Sequence, residues 1–105
     1  MATVSKNLFR GAATTTLTTN LYTVPASTTT VITSVVVANT AASSGTFTIS
    51  IGTAGSETAL FDAVTIAADS TAVIDLKQVL VATEVIDGGA SAATINFHIS
   101  GVEIA

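Results

Sequence analysis

The run Val31-Ile32-Thr33-Ser34-Val35-Val36-Val37-Ala38 constrains the fold more than any other stretch of the chain. Its β-branched side chains are stiff at χ1 and fit a pleated surface better than a helix. Apolar residues occupy both parities, with Val31, Val35 and Val37 on one face and Ile32, Val36 and Ala38 on the other. A strand of this kind is expected to be covered on both sides. In a two-layer sandwich the second sheet covers only one side, so the other is expected to meet another subunit. Just upstream, Leu21-Tyr22-Thr23-Val24 reads as a short strand, and Pro25, the single proline, lacks an N–H and marks an edge or corner. Ser27 to Thr30 supplies the turn.

The remaining segments also carry a period of two. Phe47, Ile49 and Ile51 alternate with hydroxyls, which predicts a half-buried strand over 46–51. A strand over 59–67 is predicted to place Leu60, Val64 and Ile66 on one face with Asp62. Thr71 to Leu76 and Val79 to Ala82 read as one or two strands around Lys77-Gln78, with a helical turn over 76–81 as the alternative. Asp87-Gly88-Gly89 is a tight-turn signal. Ile95, Phe97 and Ile99 share a strand face, and the change of parity at Val102 and Ile104 predicts a bulge at Gly101. A further parity change near Asn20, in a strand expected over 14–24, predicts another. Residues 1–13 mix charge, Gly and small residues around an apolar anchor at Leu8-Phe9, and read as an extended arm that docks on a neighbour. Together these features predict an all-β chain: a single antiparallel β-sandwich, jelly-roll or Ig-like, of seven to eight short strands over 14–105, with an N-terminal arm.

Charge narrows the function. Only 10% of the 105 residues are charged and 49% are hydrophobic, so the polar surface is made largely of Thr and Ser hydroxyls. Weak electrostatic repulsion suits a subunit whose outer face meets other subunits. Lys6, Arg10 and Lys77 are the only basic residues and the net charge is -4, which disfavours binding to nucleic acid or to anionic membranes. No run approaches the ~20 apolar residues of a spanning helix.

Chemistry is sparse. The chain has no Cys, and its one histidine, His98, has no thiol to activate and sits on the polar parity of a strand. A glycosidase pair drawn from Asp62, Asp69, Asp75, Glu84 or Asp87 would lack an aromatic platform for a sugar ring, there being no Trp. Asp62, Asp69 and Asp75 do not form a dense calcium loop, and Gly52-Thr53-Ala54-Gly55 lacks the Lys of a phosphate loop. The expectation is no enzyme, no cofactor and no metal.

Several short motifs carry a resemblance: Leu21-Tyr22-Thr23-Val24-Pro25-Ala26 before a Thr turn and a Val-rich strand ending in Asn39; Asp69-Ser70-Thr71; Val79-Leu80-Val81-Ala82; and Phe97-His98-Ile99-Ser100-Gly101-Val102-Glu103-Ile104. Over roughly residues 20 to 104 the chain resembles the small virion-associated β-sandwich proteins of tailed bacteriophages. Many such sequences have Gly after the Pro-Ala and a Gly-Asp turn before the penultimate strands, where this chain has Ser27 and Ala82-Thr83-Glu84. The resemblance implies a structural virion role, as a capsid decoration (cement) protein on the particle surface or a tail, baseplate or fibre accessory. Its partners would be the major capsid protein or other virion proteins, and copies of itself, a trimer being favoured. A small carbohydrate-binding module is the alternative of another class. Leu8, Phe9, Arg10, Val31, Val35 and Val37 are the expected interface residues.

Overall fold

In a computed structural model that describes residues 2–105, the chain forms eight strands: β1 (Thr3–Ala12), β2 (Asn20–Thr23), β3 (Thr29–Asn39), β4 (Gly45–Gly52), β5 (Thr58–Ile66), β6 (Ser70–Leu80), β7 (Val85–Ala90) and β8 (Ile95–Ile104). They make two four-stranded antiparallel sheets, a first of order β1-β8-β3-β6 and a second of order β2-β7-β4-β5. The ladders β4·β5, β3·β6, β2·β7 and β1·β8 are nested, so the chain is one long hairpin with its tip between β4 and β5. Rolling that hairpin brings β8 beside β3 and β7 beside β4. This is the jelly-roll sandwich, and the strand order decides between the two sandwiches the sequence left open.

Inward side chains of both sheets fill the core. Phe47 of the second sheet meets Phe97 of the first edge-on at 6.1 Å between ring centroids, and Phe61 tilts against Phe47 at 5.7 Å. Ile32, Val35, Val37, Ile49, Leu80, Ile86, Ile95 and Ile99 complete the packing, each essentially without solvent contact.

The register of the first sheet slips along one line that crosses all four strands. Leu8 is the additional residue on β1 and Thr33 the additional one on β3 against β8, while Leu76 and Lys77 together oppose Thr33 from β6. The slip re-aims β3 midway: Thr30 and Ile32 face inward before it, and Val35, Val37 and Asn39 after it. The apolar parities therefore do not mark two separately covered faces. One set, drawn from both parities, is the core. The irregularity anticipated at Gly101 belongs to its neighbours, for β8 continues through Gly101 without a break while β1 and β3 bulge past it. A Cβ at Gly101 would collide with the Val31 carbonyl oxygen and lie 2.8 Å from Leu8 Cδ1.

Other expectations are corrected. The segment read as an arm is extended, but it is edge strand β1, paired with β8 of its own chain from Thr3↔Ile104 to Ala12↔Asn96, with Leu8 and Ala13 in the core. The apolar anchor that suggested docking on a neighbour docks at home. Residues 14–19, expected as strand, form a loop held by hydroxyls: Thr14 Oγ1 and Thr19 Oγ1 share a hydrogen bond at 2.5 Å, and both lie within reach of the Thr16 carbonyl, at 3.1 and 2.9 Å. Asp87-Gly88-Gly89 is no turn but the middle of β7. A Cβ on Gly89 would lie 2.5 Å from the Thr16 carbonyl oxygen, and one on Gly88 would lie 2.7 Å from that of Thr48. These glycines admit close backbone, not a reversal. On β5, register shifts against β4 and a left-handed Ala63 (φ 48) break the expected Leu60/Val64/Ile66 face, so Phe61 and Ile66 turn inward and Val64 outward. β6 is a single continuous strand rather than a strand followed by a helical turn.

Candidate functional site

The features that could serve function are on the outer face of the first sheet. Register places four rows of side chains across it. Val79, Val31 and Val102 are cross-strand neighbours in one apolar row; in another, Val73 and Val36 are followed by His98 and Arg10. Between them Asp75, Ser34, Ser100 and Asn7 form a polar row, and Thr71, Ala38 and Asn96 a fourth. Val73 and Val79 are 69% and 62% exposed, against 0% for Val37 on the opposite face of the same sheet. Two open hollows follow the line of register slips and meet at Thr33. One lies toward Asn7, Arg10 and Ser100, the other toward Asp75 and Lys77.

The residues expected at an interface divide between the two faces. Arg10 and Val31 lie on this outer surface, Arg10 exposed and Val31 half-buried. Phe9 is half-buried against the core. Leu8, Val35 and Val37 are core residues, with 7%, 1% and 0% exposure, and are corrected on that ground: side chains that pack between the sheets are not free to contact a neighbour. The outer side of β3, expected to be covered, is half-exposed in the chain by itself. Sequence reading passed over the exposed apolar positions Val73 and Val79. Their parity, opposite to that of Ile74, Leu76 and Leu80, was the available signal.

Two polar clusters stand elsewhere. At the edge where β1 and β2 approach, the Tyr22 hydroxyl reaches across the sandwich to Thr30 Oγ1 at 2.8 Å and donates to the Glu103 carboxylate, which also takes Lys6 Nζ at 3.2 Å. Burial, then the hydrogen bond to Glu103, pushes the Tyr22 hydroxyl up to about 12; that same bond, with Lys6 assisting, holds Glu103 below its ordinary range. The cluster ties both chain ends to the second sheet. On the other sheet, Asp87 is only 8% exposed, between Asn20 of β2 and Ser50 of β4. Burial first, and the carboxylate of Glu57 second, push Asp87 up to about 6, while the hydrogen bond from Asp87 holds Glu57 down. The Asn20 amide donates to Asp87 at 3.4 Å. Glu57, in the β4–β5 connection, is a partner that spacing along the chain could not reveal.

Among the described residues no three His, Cys, Asp or Glu side chains converge as metal ligands. His98 lies beside Arg10 and Val36 on the open sheet face. Asp62, Asp69, Asp75 and Glu84 are dispersed over β5, a turn, β6 and the β6–β7 loop. Among the described residues no helix is long and apolar enough to cross a membrane. No family description, no curated protein and no solved structure matches the chain.

Proposed function

We propose that this chain is a structural virion protein of a tailed bacteriophage, most simply a capsid decoration protein that stabilises the shell by contacts between subunits. The observation that carries the reading is the outer face of the first sheet, where exposed valines stand in rows among hydroxyls with few charges around them. A face of that composition gains by being covered, since apolar area removed from water contributes about 25 cal/mol per Å², and many copies on a lattice add by avidity. Jelly rolls recur in viral shells and in lectins alike, so the fold supports the reading by analogy alone. The resemblance of the short motifs to small phage proteins supports a virion role over a lectin one.

Electron microscopy of the phage particle is the test. Density for the chain on the head surface, with loss of heat or pressure resistance in particles lacking it, is the expected result. Density confined to the tail would make the protein a tail, baseplate or fibre accessory, and absence from particles would overturn the virion reading.

A further inference from the structure

Strand β6 is one of the two open edges of the first sheet, β1 being the other: β3 pairs with one side of β6, and among the described residues no strand pairs with the other side. It is eleven residues long, and at ~3.3 Å per residue it presents an unpaired edge of about 36 Å. Edges of that length are usually protected against random pairing by a charge or a bulge. β6 has both at its midpoint, Lys77 and the register slip at Leu76-Lys77.

The outward side chains of the strand are symmetric in character about Leu76. Reading away from Leu76 in either direction, a charge comes first, Asp75 on one side and Lys77 on the other, and an exposed valine follows, Val73 or Val79. We infer that β6 pairs antiparallel with β6 of a second copy of this chain across a two-fold axis at Leu76. That register sets Asp75 opposite the second copy's Lys77, and Val73 opposite its Val79, each contact occurring twice. The lysine that opposes random partners thus meets an acid in one register only.

The rows on the sheet face continue through the joint. The row Val102, Val31, Val79 of one copy runs on into Val73 and Val36 of the other, so two bands of valines span the joint of a continuous eight-stranded sheet. The contact is two-fold, which the trimer expected from the sequence does not contain. It is independent of where the protein resides.

The test uses the full chain and two single variants, Asp75→Lys and Lys77→Asp, by sedimentation velocity from micromolar to several hundred micromolar. Both positions are exposed, and circular dichroism with thermal melting checks that each variant keeps the fold. The wild type is expected to dimerise reversibly. Each variant alone faces like charges across the axis twice and is expected to dimerise about tenfold or more weakly. An equimolar mixture of the two restores both opposite-charge pairs and is expected to recover the dimer as a heterodimer. A wild type that stays monomeric throughout, variants that dimerise as well as the wild type, or a mixture no better than its components would each overturn the proposal. Since no particle is involved, failure here is distinguishable from failure of the virion reading.

Discussion

Asp87→Asn isolates the carboxyl group whose ionisation the fold pushes up, to about 6. In the unfolded chain Asp87 ionises near its ordinary value of 3.8; in the folded chain, burial beside Glu57 moves this up to about 6. Between those values the folded state keeps a proton that the unfolded state has released, so stability falls as pH rises through the window. Glu57 and Glu103 are shifted the opposite way, so their contributions are lost as pH falls through the ordinary glutamate value of 4.5 and below. Between pH 4.5 and 7.5 Asp87 is the shifted group whose contribution falls as pH rises. About one and a half pH units at 1.4 kcal/mol each amount to a loss on the order of 2 kcal/mol, complete by about pH 7. Urea unfolding at pH 4.5 and 7.5 reads this loss directly, with an unchanged m-value showing that the same transition is measured. The wild type is expected to lose that stability, and Asp87→Asn, neutral throughout, to remain level. Glu57→Gln should keep much of the fall, because burial is the larger cause. A wild type whose stability rises over this range, or an Asp87→Asn variant with the wild-type slope, would refute the reasoning.

Three further outcomes are expected. Tyr22→Phe removes the hydroxyl that joins fully buried Thr30 to the Glu103 carboxylate; a loss of about 1–3 kcal/mol in urea unfolding is expected, together with a weaker decline below pH 4.5, where Glu103 contributes. Thr83 is β-branched yet sits in the left-handed region at φ 72, so Thr83→Gly should relieve strain and raise stability by roughly 0.5–1 kcal/mol, read as a higher urea midpoint. Deleting residues 2–12 strips β8 of its partner and exposes the Leu8 site, which by itself is worth about 1.5–3 kcal/mol; the truncated chain is expected to melt lower and to aggregate through the bared edge, measured by thermal scattering.

Much of this fold is legible from period-two patterning. Phe47, Ile49, Phe97 and Ile99 stand where alternation places them, and Pro25 turns its corner. The bulge expected near Asn20 also occurs, as a register shift between Asn20 and Tyr22. The misreadings share a cause, which is that local pattern does not register what approaches from far along the chain. Gly88-Gly89 has turn composition, but these residues are glycine because Thr16 and Thr48 carbonyls crowd them. The Leu8-Phe9 anchor suggested a neighbour because β8, some ninety residues on, could not be foreseen as its partner. β3 looked two-sided because the slip at Thr33 exchanges its parities.

Ser27 and Thr83 show the reverse case. Neither is glycine, yet both backbones are left-handed, at φ 58 and φ 72. The two turns also touch, Thr83 N donating to the Val24 carbonyl and Val24 N to that of Glu84. Asn39, ending the valine-rich strand, has a structural role as well: its amide donates to the Ser43, Ile66 and Ala67 carbonyls and closes the end of the sandwich. The outer-face rows were written in the same alternation as the core, but assigning them required knowing which parity faced inward.

Assembly through the chain's own sheet edge is the central claim, and a cysteine cross-link tests it most directly, since the chain has no Cys to interfere. Directly opposed residues on paired antiparallel strands have Cα atoms about 4.5–5.5 Å apart, within disulfide reach. Val73→Cys and Val79→Cys proteins, mixed at equal concentration and mildly oxidised, are expected to give a disulfide-linked heterodimer well in excess of either homodimer. Homodimers of Val73→Cys forming as readily as the mixed product, or no cross-link at concentrations where the chain associates, would contradict the register and with it the joint.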